Sequence, residues 1–131
     1  MQLYFKRHVM GALIQTAMII DDDEDLSQVL SMILESKKIH TMSVHSLSEA
    51  RDCLTYLKPS VIFLDNSFPD GLGINFIQTI KSADEEIKII MMTADTATWI
   101  EEKAREEGID GFLRKPITKK TIDGALDQLR V

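Results

Sequence analysis

Short apolar runs recur along the chain at spacings suited to buried strands. Residues 17–20, 61–64 and 89–92 are continuously apolar over four positions and are rich in β-branched side chains. Strands that are covered on both faces of a sheet have this composition. Residues 111–113 form a shorter candidate, and residues 41–44 form a weaker one. The pattern therefore predicts five strands.

The stretches that follow these runs have apolar residues three and four positions apart, which is typical of a helix with one buried face. Five such stretches alternate with the five predicted strands. Their apolar positions are, in chain order, Leu26, Val29, Leu30, Ile33 and Leu34; Leu47, Ala50, Leu54 and Leu57; Phe76, Ile77 and Ile80; Ala97, Ile100 and Ala104; and Ile122, Ala125, Leu126 and Leu129.

Helix start and stop residues agree with this alternation. Ser46, with Glu49 three residues later, forms a capping box before the second helix, and Thr118 can cap the fifth. Gly108 stands where the fourth helix should end. Asp23 or Asp25 can cap the first helix. The sequence thus predicts an α/β domain with a parallel sheet and helices on both faces, because parallel neighbours need right-handed crossover connections.

Length and composition indicate one domain. The 131 residues are 44% hydrophobic, and the formal net charge of -6 disfavours direct binding to nucleic acid. No apolar run approaches the roughly 20 residues that span a membrane, and the one cysteine, Cys53, cannot form an internal disulfide. We therefore predict a cytoplasmic protein without a membrane segment.

The first 15 residues are interpreted as a flexible N-terminal extension, and residues 16–131 as the folded domain. Lys6 and Arg7 precede an apolar stretch, as in a secretory signal, but Gln15 and Thr16 interrupt that stretch and no cleavage site follows. A short helix that packs on a neighbouring subunit is the alternative for this segment.

Chemically active residues follow the predicted strands. Asp21 and Asp22 come after the first strand, Asp65 after the third, Thr93 after the fourth and Lys115 after the fifth. Ligands of open α/β sheets bind at these carboxyl ends. Two carboxylates about 5 Å apart repel each other by roughly 3 kcal/mol at an effective dielectric of about 20, so the cluster needs a cation or a proton. Because such an all-oxygen set suits a hard metal ion, we expect Mg²⁺.

Asp65 is then a carboxylate positioned as a nucleophile at the end of a buried strand. The metal ion, Lys115 and Thr93 would neutralise phosphoryl oxygens as negative charge develops on them. This combination predicts phosphoryl transfer, which depends on positioning and electrostatic stabilisation.

Four motifs in order resemble the receiver domains of response regulators in two-component systems, over residues 16–131. This resemblance implies a single doubly wound (βα)5 domain with a five-stranded parallel sheet in the flavodoxin-like order 2-1-3-4-5. The matching segments are Ile19-Ile20-Asp21-Asp22-Asp23; Val61-Ile62-Phe63-Leu64-Asp65 with Pro69-Asp70 and Gly73; Met91-Met92-Thr93-Ala94; and Phe112-Leu113-Arg114-Lys115-Pro116.

The resemblance also implies a role for each site residue. Asp21, Asp22, Asp65 and the backbone carbonyl of Ser67 are expected to hold Mg²⁺ or Mn²⁺. Asp65 is expected to become an acyl phosphate by a reaction that the domain catalyses on itself, so the protein is not a conventional enzyme.

The resemblance implies that Thr93 and Phe112 form the switch and that Lys115 binds the phosphoryl group. Thr93 resembles the hydroxyl residue that turns inward to bond a phosphoryl oxygen, and Lys115 resembles the lysine that bonds another, with a cis peptide bond to Pro116. Phe112 stands at the aromatic switch position. It replaces the tyrosine often found there, so the signal depends on ring packing alone.

The implied function is a signalling switch. A sensor histidine kinase or a histidine phosphotransfer protein would donate the phosphoryl group, and an unidentified downstream protein would receive the signal. The face made by helix 4, strand 5 and helix 5 would change on phosphorylation and could also form a homodimer.

Other interpretations have weaker support. Asp21, Asp23 and Asp25 imitate the start of an EF-hand loop, but Leu26 stands where its glycine belongs. A haloacid-dehalogenase-like phosphatase places its nucleophile on the first strand, whereas here the isolated aspartate lies in the middle of the chain. The histidines, His45 among them, are expected to lie away from the acidic residues. A degenerate receiver that acts only as a protein-binding module is the remaining alternative.

Overall fold

A computed structural model describes residues 15–129. The predicted N-terminal extension therefore falls almost entirely outside the described residues, with Gln15 as the exception. Within the described part of the chain, no helix is both long enough and apolar enough to cross a membrane.

Five parallel strands form the main sheet, in the order β2-β1-β3-β4-β5. This result confirms the predicted fold class and strand order. All five predicted runs are strands, each longer by one or two residues than its apolar core. The strands are β1 (Thr16–Ile20), β2 (His40–Val44), β3 (Val61–Asp65), β4 (Lys88–Thr93) and β5 (Gly111–Arg114).

Five α-helices alternate with the strands, as the apolar spacing predicts, and the last one follows β5. They are α1 (Glu24–Glu35), α2 (Leu47–Cys53), α3 (Ile77–Ala83), α4 (Thr98–Glu107) and α5 (Lys119–Leu129). A short hairpin follows β3 and pairs Ser67–Phe68 with Gly71–Leu72, and a 3₁₀ turn at Gly73–Phe76 leads from it into α3.

The core has two layers, one on each face of the sheet. Along β3, Ile62 and Leu64 pack with helices α2, α3 and α4, whereas Val61 and Phe63 pack with α1 and α5. Alternate residues of a strand point to opposite faces, so every residue of β3 is buried. The strand that ends in Asp65 is therefore held firmly from both sides.

The helix caps largely match the sequence pattern. Ser46 Oγ accepts a hydrogen bond from Glu49 N at 3.0 Å, but the Glu49 carboxylate accepts from His45 N at 2.9 Å rather than from the capping residue itself. Asp23 caps α1, and Gly108 ends α4 in the left-handed region with φ 103°. Thr118 Oγ1 accepts from Thr121 N at 3.1 Å at the start of α5.

One predicted core position is wrong. The side chain of Val29 is 52% exposed, although its spacing places it in the apolar stripe of α1. The buried line of this helix runs through Ser27, Leu30 and Leu34, and Val29 lies to one side of that line. Helix α1 therefore covers the sheet with a narrower stripe than its sequence suggests.

Candidate functional site

Three carboxylates meet at the carboxyl end of the sheet. Asp21 and Asp22 follow β1, and Asp65 is the last residue of the adjacent strand β3. Each offers one oxygen atom, and these oxygens all lie within 4.8 Å of one another. Asp21 and Asp65 are buried, whereas Asp22 is exposed. Because Ile20 pairs with Leu64, the strand register brings the next residue of each strand to the same level.

Lys115 completes this group, which we call the acidic cup (Asp21, Asp22, Asp65 and Lys115). Its Nζ atom lies 2.9 Å from Asp21 Oδ2 and 3.1 Å from Asp65 Oδ1. The Lys115 backbone N–H donates to Thr93 O at 2.8 Å, and the peptide bond to Pro116 is cis. The lysine ammonium group, which follows the edge strand β5, therefore contacts both buried carboxylates.

Burial and nearby charges shift the pKa values of Asp65 and Lys115. Burial raises the pKa of Asp65 and the nearby negative charge of Asp21 raises it further, while Lys115 only partly offsets these effects. Burial alone would lower the pKa of Lys115, but its hydrogen bond and charge interactions with Asp21 and Asp65 outweigh burial and raise it. Lys115 alone thus does not compensate for the burial of Asp65 and its repulsion by Asp21.

The donor set fits a hard divalent cation. Three ionised carboxylates and one ammonium group leave a formal charge of about -2, which one divalent ion would neutralise. The ligand atoms are all oxygens, as Mg²⁺, Mn²⁺ and Ca²⁺ prefer, and the exposed Asp22 leaves one side open to water. Ser67 lies in the hairpin that follows Asp65, and the contribution of its carbonyl stays a prediction.

Thr93 ends β4 and is buried beside the acidic cup. Its Oγ1 accepts a hydrogen bond from Asp95 N at 3.0 Å. The Asp95 carboxylate in turn accepts from Ala97 N at 2.9 Å, just before α4. The Thr93 hydroxyl group is therefore hydrogen-bonded to the turn that joins β4 to α4. A movement of this turn either carries the hydroxyl group with it or breaks that hydrogen bond.

Arg114, which the sequence reasoning missed as a functional residue, joins this turn to Phe112. Its guanidinium carbon lies 5.0 Å from the centre of the Phe112 ring. Nη1 donates to Asp95 O, and Nη2 lies 3.8 Å from Glu101 Oε1 on α4. We call Asp95, Glu101, Phe112 and Arg114 the Arg114 cluster. The only sequence signal for a role of Arg114 is its position directly before Lys115.

His45 is a correction to the sequence interpretation. It was expected to lie away from the acidic residues, but its Nδ1 lies 2.9 Å from Asp21 O. Because a backbone carbonyl can only accept, Nδ1 carries the proton in this contact. The separation of residues 21 and 45 along the chain hid this proximity, which arises because β2 pairs with β1.

Two residues of the loop after β3 shape the acidic cup. A Cβ atom on Gly73 would lie 2.0 Å from Asp65 O, so only glycine fits against the end of β3. Asp70 accepts from Leu47 N at 3.3 Å and from Ser48 N at 3.1 Å, which ties the loop to the start of α2. Asp70 and Gly73 both belong to the motif that follows Asp65, but their structural roles were not predicted.

Residues 17–127 match the family model of the response regulator receiver domain. The chain belongs to this family. Receiver domains are components of two-component systems, and the match spans every strand end that forms the acidic cup.

Several known proteins are similar to this receiver domain. The DNA-binding response regulator MtrA of Mycolicibacterium smegmatis is 28% identical over 113 residues, which cover 86% of this chain and 49% of MtrA. The chain thus spans about half the length of that relative. A two-component response regulator from Clostridium difficile has a TM-score of 0.83 at 26% identity, with 88% of this chain and 94% of that one covered. The beryllofluoride-activated NtrC4 receiver domain dimer has a TM-score of 0.79 at 32% identity, with 87% and 98% covered.

Proposed function

We propose that this receiver domain is a phosphoacceptor switch that takes a phosphoryl group on Asp65 with Mg²⁺ bound beside it. The observation that carries the proposal is the acidic cup, in which two neighbouring strands and Lys115 bring three carboxylates and one ammonium group together. Asp21, Asp22, Asp65 and the carbonyl of Ser67 would hold the ion, and Mn²⁺ could replace Mg²⁺. The family membership supports these assignments.

The reaction follows from the positions of the residues. An Asp65 oxygen attacks phosphorus, the bond from phosphorus to the donor's histidine nitrogen breaks, and the electron pair of that bond stays with the imidazole, which takes up a proton. Lys115 Nζ, already 3.1 Å from Asp65 Oδ1, stabilises negative charge on a phosphoryl oxygen. Bound Mg²⁺ supplies further neutralisation of the phosphoryl oxygens.

Thr93 and Phe112 transmit the change. Thr93 lies at the end of β4, next to the strand that carries Asp65, and its hydroxyl turns toward the phosphoryl group. Phe112, which is only partly buried, then moves inward and alters the face made by α4, β5 and α5. This is a shift in population between two packings.

The partners follow from this chemistry. A sensor histidine kinase or a histidine phosphotransfer protein supplies the phosphoryl group, and a downstream protein binds the altered face. The similar NtrC4 receiver is described as a beryllofluoride-activated dimer, which supports beryllofluoride as a probe and a homodimer as one output. We assign such a homodimer to the face made by α4, β5 and α5.

Labelling with acetyl phosphate tests the proposal. The wild-type protein with Mg²⁺ should incorporate phosphate, and Asp65→Asn should abolish incorporation, because an amide cannot act as the nucleophile. Asp52→Asn, which alters an exposed carboxylate on α2, is the matched control and should label normally. Undiminished labelling of Asp65→Asn would contradict the site, and an unlabelled wild-type protein would favour the inert protein-binding module.

A further inference from the structure

We propose that Arg114 is a positioning residue that couples Thr93 to Phe112 and resists activation of the switch. The inference rests on the proposed function and adds a residue to it. The Arg114 guanidinium contacts three parts of the protein at once: the Phe112 ring, the Asp95 carbonyl and the Glu101 carboxylate.

The first step of the coupling runs through a single peptide segment. Asp95 N donates to Thr93 Oγ1 at 3.0 Å, while Asp95 O accepts from Arg114. The backbone of Asp95 is therefore held at both ends, by the Thr93 hydroxyl and by the arginine. A movement of this turn that carries Thr93 toward Asp65 and displaces the Asp95 carbonyl breaks or rebuilds the contact with Arg114.

The second step concerns the aromatic ring. The guanidinium lies 5.0 Å from the Phe112 centroid, a distance at which a cation is attracted to an aromatic face. Phe112 lacks a hydroxyl group, so no hydrogen bond of its own side chain can hold the ring in its partly buried position. The cation–π contact with Arg114 holds the ring instead, and this contact is lost when Phe112 swings inward.

The anchor of Arg114 lies on α4. Glu101 Oε1 is 3.8 Å from Arg114 Nη2, and its other oxygen, Oε2, is 3.1 Å from Arg105 Nη2. Arg114 and Glu101 are about one third exposed, so each contact is weak by itself. Three weak contacts that are lost together favour the observed arrangement by an amount that a ligand can overcome.

The decisive measurement is the affinity for beryllofluoride in the presence of Mg²⁺, followed by the fluorescence of Trp99, the one tryptophan of the chain, which is exposed in the first turn of α4. Arg114→Ala should raise this affinity about three- to tenfold, and Arg114→Lys should raise it less, because lysine keeps the charge but not the planar group. Arg105→Ala, which removes the other partner of Glu101, is the control and should change the affinity less than about twofold.

A second measurement does not depend on phosphoryl chemistry. Hydrogen exchange of the Asp95 amide should be at least about threefold faster in Arg114→Ala than in wild type, while the Met91 amide in the core of β4 is unchanged. Unchanged or weaker beryllofluoride binding by Arg114→Ala would overturn the proposal, as would unchanged exchange at Asp95. If wild type itself fails to bind beryllofluoride, the phosphoacceptor function fails, and the exchange experiment still decides the role of Arg114.

Discussion

The acidic cup and the Arg114 cluster lie near the same edge of the sheet, but they are held in different ways. Two of the carboxylates stand at the ends of β1 and β3, which are central strands, and β3 is buried at every residue. The Arg114 cluster belongs to an edge strand, a turn and the surface of α4, and its charged side chains are about one third exposed. The comparison indicates that the acidic cup is fixed by the core, whereas the Arg114 cluster depends on single contacts that can change.

The largest effect on stability is expected from Gly73→Ala, which acts on the acidic cup at the end of β3. Its Cβ would lie 2.0 Å from Asp65 O, so the backbone at the end of β3 or the following loop must move. We expect the free energy of unfolding to fall by about 3 kcal/mol in urea denaturation. Gly124→Ala in α5 meets nothing within 4 Å and should instead gain about 0.5 to 1 kcal/mol. Equal effects of the two substitutions would refute this explanation.

Lys115→Ala should have the next largest effect. It leaves two buried carboxylates without their ammonium partner and should cost about 2 kcal/mol of stability in a chelator. Mg²⁺ should restore much of this loss, and its affinity by titration calorimetry should be retained, while the response to beryllofluoride is impaired. Lys119→Ala, at an exposed pair with Asp123, is the control with little expected effect. A loss of Mg²⁺ binding by Lys115→Ala would show that the lysine helps to form the metal site.

Asp65→Asn should stabilise the protein in a chelator at neutral pH, by about 1 kcal/mol. The pKa of Asp65 is raised above the ordinary value of 3.8, so the folded protein binds more protons than the unfolded chain between the two values. Wild-type stability therefore falls as pH rises through this window and stays lower above it. Asparagine has no such loss, so the two proteins should converge near pH 3.8 in urea denaturation. A constant difference at all pH values would argue against ionisation as the cause.

An effect of similar size but opposite sign is expected from Asp70→Ala, in the loop between the acidic cup and α2. The substitution removes the acceptor for two N–H groups at the start of α2 and should cost about 1 kcal/mol in urea denaturation. Ser46→Ala removes another acceptor from the same helix end without touching the loop after β3. Similar stability losses, with faster hydrogen exchange at Leu72 in Asp70→Ala alone, would match this assignment.

The sheet was predictable because strands covered on both faces need continuous apolar runs. Even the edge strand β2, where only Val44 is buried, retained enough pattern to be predicted. The two-residue strands of the hairpin were not predictable, since no periodicity fits in so short a segment. The exposure of Val29 depends on how α1 is rotated against the sheet, which the spacing of apolar residues defines only coarsely.

The site was predictable in its residues but not in its connections. Parallel topology places strand ends together, so Asp21, Asp65 and Lys115 could be grouped before any coordinates. The contacts of Arg114 and His45 depend on side-chain direction and on residues far apart in the chain. The direction of Trp99 was likewise not predictable: its side chain is 55% exposed, because α4 buries its Ile100 and Ala104 side instead.

The solvent exposure of Asp22 bears on how fast the domain can respond. Its two acidic neighbours are enclosed, so the open side gives an ion a route from bulk water that requires no strand to separate. Loading and unloading of the site would then require partial dehydration of the ion but no opening of the sheet. Other hard cations present in excess should reach the same place, and those that lose water more readily than Mg²⁺ should enter it faster.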